Sequence, residues 1–252
     1  MNATGPALRR RVLAFRRRIG NSEPMALFGK RKASGAPSRW RGQVGEAVAR
    51  RLDQTPGAQR FPVDGIQFYS HPDYLPAADC ARLVAMIDAR RRPSTLLADK
   101  SGPEFRTSES CDMDRESDEV RPIDEAIAAL LGLDPALGET MQGQRYAPGQ
   151  QFKAHHDFFH EAQSYWPRMK ATGGQRTWTA MIFLNEVEDG GATWFPMAGI
   201  RVAPKRGLLL AWNNMGADGS PNEATLHEGM AVVRGTKYIV TKWFRESPWL
   251  VG

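Results

Sequence analysis

The chain has 252 residues, 41% hydrophobic and 25% charged, which is enough for one sizeable domain with a core, and a β-rich domain of this length need not divide. Its net charge of +6 hints at a nucleic-acid or membrane partner only until it is divided: residues 1–52 hold 13 Lys and Arg against 2 acidic residues, which leaves −5 for residues 53–252. The body is therefore acidic and no specific nucleic-acid partner is expected; two cysteines, Cys80 and Cys111, are too few for a disulfide framework or a thiolate metal site and fit a reducing, cytoplasmic compartment.

The basic segment contains Arg9–Arg11, Arg16–Arg18 and Lys30–Lys32 and reads as a disordered extension over 1–52, with the folded domain spanning 53–252. Its few apolar residues are too short a run for a secretory signal. An Arg-rich targeting segment, an anion-binding arm and sequence upstream of a later start at Met25 all remain open. No stretch approaches the length of a membrane span.

Gly65-Ile66-Gln67-Phe68-Tyr69 reads as a strand leading into the domain. Pro76 suits a first helical position, and Leu83, Val84 and Ile87 recur at helical spacing, so the pattern predicts a helix over 76–91. A polar loop over 93–119 follows, then a helix over 122–131 that Pro122 opens and Gly132 closes. From 141 onward the chain becomes a series of short apolar and β-branched runs: 142–147, 150–157, 177–185, 192–196, 200–204, 207–212, 225–234 and 236–244. Gly, Pro and Asp separate them, in the rhythm of an antiparallel sandwich or barrel. The expected fold is mainly β, a jelly roll or double-stranded β-helix with N-terminal helices packed on it.

The five histidines are His71, His155, His156, His160 and His227. Residues two apart on a strand face the same way, so His155 and Asp157 project together while His156 points to the opposite side. His227, in the run Thr225-Leu226-His227-Glu228-Gly229, is the candidate third ligand of a two-His, one-carboxylate facial site that leaves metal positions open. By itself a His-x-Asp pattern is a weak signal. Alternation along Thr236 to Phe244 sets Lys237, Ile239, Thr241 and Trp243 on one face. Either that face looks inward, where a buried lysine needs an anion, or it looks outward and Tyr238, Val240 and Phe244 form the core.

Four longer segments carry a family resemblance. The run from Arg145-Tyr146-Ala147-Pro148-Gly149 through His155-His156-Asp157-Phe158-Phe159 resembles the first iron-binding strand of the prolyl 4-hydroxylase family. Gly174 to Asn185 followed by Gly190-Gly191-Ala192-Thr193-Trp194-Phe195-Pro196, and Leu226-His227-Glu228-Gly229 through Arg234-Gly235-Thr236-Lys237, are similar to later segments of that family in the same order. The resemblance covers roughly 66 to 246.

It implies an Fe(II)- and 2-oxoglutarate-dependent dioxygenase that consumes O2, releases succinate and CO2, and uses ascorbate as reductant. His155, Asp157 and His227 would hold the iron, Lys237 the distal carboxylate of 2-oxoglutarate, and Tyr146 and Thr179 would line the co-substrate pocket. Many relatives have Tyr where this chain has Phe183, so no binding role is carried to that position. The implied substrate is a prolyl residue within a polypeptide, with Arg106 of the Glu104–Ser110 segment and Trp243 contacting it. Tyr165 and Trp166 could pack on the pyrrolidine ring, and residues 158–176 are long enough to act as a lid. A small-molecule hydroxylase, a non-catalytic jelly-roll module and a zinc hydrolase are the competing readings; no glutamate at helical spacing accompanies the site as a general base. Oligomeric state is left open.

Overall fold

The computed structural model describes residues 34–95, 102 and 104–249. The basic runs before residue 34, and the extension expected there, lie outside the described residues. Within them, four helices, α1 (Arg39–Gln54), α2 (Ala77–Arg90), α3 (Arg121–Leu131) and α4 (Trp166–Ala171), accompany fourteen strands. In chain order these are β1 (Gln59–Arg60), β2 (Phe68–His71), β3 (Arg92–Pro93), β4 (Glu109–Asp112), β5 (Gln142–Tyr146), β6 (Phe152–His155) and β7 (Arg176–Phe183). They continue with β8 (Asp189–Gly190), β9 (Thr193–Phe195), β10 (Ile200–Val202), β11 (Leu209–Asn213), β12 (His227–Gly229), β13 (Val232–Arg234) and β14 (Lys237–Arg245).

A large antiparallel sheet runs β1-β2-β11-β7-β14-β5-β4-β3, a smaller one runs β10-β9-β12-β6, and β8 and β13 form a separate ribbon. Side-chain alternation on the central strands makes two cores. Trp178, Ala180 and Ile182 of β7, with Val240 and Phe244 of β14, face the helices, where they meet Leu52, Leu83, Ile87 and Ile127. Met181 and Phe183 of β7 and Ile239 of β14 face the other way, toward Phe195 and Ile200 of the smaller sheet. This is the double-stranded β-helix, with α1 and α2 packed on the outer face of its larger sheet and α3 beside α1.

Helix α3 ends where expected, at Gly132, whose φ of 68° is readily available to glycine. At Gly143 of β5 a Cβ would lie 2.5 Å from Ile87 Cγ1, so the absent side chain lets α2 sit close on the sheet. The run 225–234 divides into β12 and β13, because the chain leaves the smaller sheet at Met230 and joins β8 instead. Glu109–Asp112, inside the expected polar loop, pairs with β5 as β4, with Cys111 buried against the helices.

The expected domain boundary at residue 53 is corrected. Helix α1 spans Arg39–Gln54 behind an N-cap at Ser38, and Val48, Ala49 and Leu52 are buried in the helix-side core. The apolar positions Val44, Val48 and Leu52 recur every four residues, and the domain extends to the start of the described residues. No helix among the described residues is long and apolar enough to cross a membrane.

Candidate metal centre and co-substrate chamber

His155 ends β6 and His227 begins β12, and the two are direct cross-strand partners, so their rings lie with centroids 4.3 Å apart. Asp157, two residues beyond His155, turns its carboxylate toward both: Oδ1 is 4.0 Å from His155 Nε2 and Oδ2 is 3.9 Å from His227 Nε2. One donor atom from each of the three residues lies within 4.8 Å of the other two.

Hydrogen bonds decide which nitrogens are free. His155 Nδ1 is 2.8 Å from the Lys153 carbonyl, and His227 Nδ1 is 2.9 Å from the Thr225 carbonyl. A carbonyl only accepts, so both Nδ1 atoms carry hydrogen and both Nε2 lone pairs face the cluster. Burial, and then the neighbouring His227, hold the His155 pKa well below its usual value, which keeps the imidazole a neutral ligand. Phe152 stacks on His155 and Phe195 on His227, fixing both ring planes. For Asp157, burial opposes ionisation, but His227, His155, Arg176 and the Thr179 hydroxyl together carry its pKa below the usual carboxylate range. Two neutral imidazoles and one carboxylate on one side of a site are a donor set that suits Fe(II) with open positions.

Behind the cluster a narrow chamber is lined by Gln144, Tyr146, Thr193, Lys237, Ile239 and Thr241 among others. Lys237, Ile239, Thr241 and Trp243 of β14 all face it, which resolves the alternation in favour of the inward reading. The Lys237 side chain is 1% exposed; its Nζ lies 3.4 Å from Thr193 Oγ1 and over the rings of Tyr146 and Phe183. No carboxylate among the described residues offsets its charge, and burial pulls its pKa down to about 7. The Tyr146 hydroxyl donates to Gln144 Oε1 at 2.7 Å, and Gln144 Nε2 donates to Thr241 at 3.2 Å, a polar wall of which the sequence reading missed Gln144.

Thr179 is placed differently from the expectation. Its hydroxyl donates to Asp157 Oδ2 at 2.8 Å and accepts from Asn214 Nδ2 at 2.9 Å, so it supports the carboxylate and does not line the chamber.

The chamber opens past Phe152, His155, Asp157 and Trp243 into a cleft of about 760 Å³, also walled by Phe105, Phe158, Phe159, Tyr165 and Trp249. Arg106 lines this cleft over the Phe152 ring, but three of its donors are engaged by Ser108 Oγ, the Thr95 carbonyl and Gln142 Oε1. Tyr165 and Trp243 also line it; Trp166 does not. Sequence reasoning missed Arg176 and Glu139, which face the same cleft. Arg176 forks onto the two Glu139 oxygens at 2.6 and 2.7 Å, and its guanidinium lies 4.1 Å from the Trp243 ring centroid. The partners are 37 residues apart, and no local pattern announces such a pair.

Comparison with known proteins agrees with this geometry. The family model described as the 2OG-Fe(II) oxygenase superfamily matches residues 141–245, which contain all three cluster residues and Lys237. Prolyl 4-hydroxylase 1 of Arabidopsis thaliana is 30% identical over 195 residues, 69% of this chain and 67% of that protein. Prolyl 4-hydroxylase 5 of the same plant is 32% identical over 197 residues, 68% of this chain and 66% of that protein. Among solved structures, the viral collagen prolyl hydroxylase of Paramecium bursaria Chlorella virus-1, determined as a 2-oxoglutarate complex, aligns with a TM-score of 0.57. It is 24% identical and covers 73% of this chain and 99% of its own. A Trichoplax adhaerens prolyl hydroxylase, solved with a hypoxia inducible factor peptide fragment, aligns at 0.56 with 13% identity, over 82% of this chain and 90% of its own. At such identities the structures establish the shared fold, while the plant sequences establish kinship. The chain belongs to the prolyl 4-hydroxylase-like 2-oxoglutarate and Fe(II)-dependent oxygenases.

Proposed function

We propose that the protein hydroxylates a prolyl residue within a polypeptide, with His155, Asp157 and His227 as iron ligands and Lys237 as the partner of the distal carboxylate of 2-oxoglutarate. The observation that carries the reading is the continuity of two spaces at the cluster. A chamber with a buried, unmatched ammonium lies on one side, and an aromatic-walled cleft lies on the other. Iron held by His155, Asp157 and His227 would supply the oxidising power for a C–H hydroxylation coupled to 2-oxoglutarate decarboxylation.

The protein's own residues bind, orient and exclude. Lys237 and the Tyr146–Gln144–Thr241 wall would fix one end of a dicarboxylate, leaving its 2-oxo acid end toward the metal that His155, Asp157 and His227 would hold. The aromatic rings at the mouth keep water from the reacting carbon. Trp243 and Tyr165 offer flat apolar faces to a pyrrolidine ring, and Arg106 retains donors for a peptide carbonyl beyond the three it uses internally. Ascorbate as reductant and a cytoplasmic setting belong to the same reading; Cys80 and Cys111 are both buried and free.

The deciding experiment supplies Fe(II), 2-oxoglutarate, ascorbate and proline-containing peptides, and follows succinate together with the peptide's mass. A peptide gaining one oxygen atom on proline is the expected result. Succinate that no peptide stimulates would turn the assignment toward a small-molecule hydroxylase.

A further inference from the structure

The cleft wall formed by residues 158–165 is not held by the barrel alone. Arg41 of α1 is 4% exposed; it donates from NH1 to Glu161 Oε1 at 2.9 Å, and its Nε lies 3.7 Å from Glu246 Oε2. Just before the helix, the Ala36 amide donates to Glu161 Oε2 at 3.1 Å, and the Glu161 amide donates to the Ser34 carbonyl at 2.8 Å. The second carboxylate grips the far end of the same loop: Glu246 Oε1 accepts from the Gln175 amide at 2.9 Å. Gln175 in turn clasps Phe159, accepting from its amide at 2.6 Å and donating to its carbonyl at 2.8 Å.

Arg41 thus stands between two carboxylates that hold the beginning and the end of one loop. Phe158, Phe159, His160 and Tyr165 of that loop line the cleft over the metal cluster. A guanidinium so buried is tolerated only when paired, so the N-terminal helix and the cleft wall are energetically tied. The Ser34 hydroxyl adds a contact to Glu223, in the turn that leads into His227.

We propose that Arg41 is a positioning residue for substrate, and that residues 34–41 act as a strap setting where the 158–165 wall stands over the cluster. The inference rests on the reading of the cleft as the polypeptide groove. Cleft and chamber meet only at Phe152, His155, Asp157 and Trp243, and the contacts of residues 34–41 named above reach none of these, so loosening the strap affects the polypeptide while leaving 2-oxoglutarate in place.

The test uses the full chain as wild type, Arg41→Ala, Arg41→Lys and Glu161→Ala. Amide hydrogen exchange at 158–165 should rise in both alanine variants while β7 and β14 stay protected. The peptide KM should rise on the order of tenfold, with 2-oxoglutarate KM and peptide-independent succinate formation within about twofold of wild type, since misplacing a positioning wall costs rate without touching the chamber. Arg41→Lys should recover part of the loss. Unchanged exchange at 158–165 in both alanine variants overturns the proposal, as does a parallel fall of every kinetic parameter, which marks a purely structural role. Should Arg41→Ala fail to fold, Glu161→Ala carries the test. Should the wild type act on no proline peptide, the substrate assignment fails while the exchange measurement still decides the strap.

Discussion

The Thr179 hydroxyl and the Asp157 carboxylate are joined by a 2.8 Å hydrogen bond between two buried side chains, and Asn214 completes the chain by donating to Thr179. The bond fixes the orientation of the only anionic member of the metal cluster. Thr179→Val keeps the shape of β7 and removes the donor. Fe(II) affinity should fall about 10- to 100-fold, the usual cost of losing an outer partner of a metal ligand, with little change in melting temperature. Fe(II) titration of the two proteins checks this; equal affinities would show that Asp157 needs no orienting partner.

Replacing His155, Asp157 or His227 by Ala should abolish succinate production outright. Two donors cannot hold the metal and a chelating co-substrate in one geometry. Retained turnover in any of the three variants would overturn the assignment of the cluster.

Lys237→Ala should spare iron binding and weaken 2-oxoglutarate. One charge-assisted contact contributes about 1.5–3 kcal/mol, which is roughly a 10- to 150-fold rise in dissociation constant. The pH dependence has a definite sign. The Lys237 pKa is lowered to about 7, so above that pH the amine is neutral and must take up a proton to meet a carboxylate. Affinity should therefore decline as pH rises above 7, by up to about tenfold per pH unit, and the decline should vanish in Lys237→Met. Calorimetry in buffers of different ionisation enthalpy measures the proton uptake directly.

A chain beginning at residue 55 should be poorly soluble or melt far below the full protein. It lacks Val48 and Leu52, whose burial contributes about 1.5–3 kcal/mol each, a large share of the roughly 5–15 kcal/mol that holds a domain together. A chain beginning at residue 34 should melt with the full protein. Equal melting of the shorter chain would show that α1 is dispensable.

The buried pair Lys242–Asp124, at 2.5 Å, lies on the opposite face of β14 from Lys237. Asp124→Ala should destabilise by about 3–5 kcal/mol, because it strands an ammonium, while replacing both partners with apolar residues of similar volume should be close to neutral. Denaturant unfolding of the two variants distinguishes these outcomes, and neither should alter 2-oxoglutarate binding.

How far the sequence discloses this site follows from the range of each interaction. The pairing of His155 with Asp157 is written in a two-residue period, and the strands after 141 are marked by turn residues, so the barrel and its first two ligands are legible directly. His227 is legible from its own run as a candidate only, since 70 residues separate it from Asp157, and the resemblance supplies the pairing. Alternation on β14 named the right four residues but not which side they faced; that depended on which layer the helices cover. Thr179 was expected to line the co-substrate pocket, but whether a buried hydroxyl meets a ligand or a neighbouring carboxylate is settled by packing. Helix α1 was hidden because its arginines read as solvated charge, whereas Arg41 is buried and Arg51 caps the carbonyls of Ala129 and Leu130.

The two lysines of β14 give the strand a further property. Lys242 carries its counter-charge within the fold, whereas Lys237 meets none among the described residues. On the proposed function the barrel is finished by its guest: a dianion arriving beside Lys237 would relieve a burden that folding alone left in place. Occupancy and unfolding then become a single linked equilibrium, with stability growing as the logarithm of co-substrate concentration above its dissociation constant. A melting curve of this protein is therefore also a gauge of the 2-oxoglutarate around it.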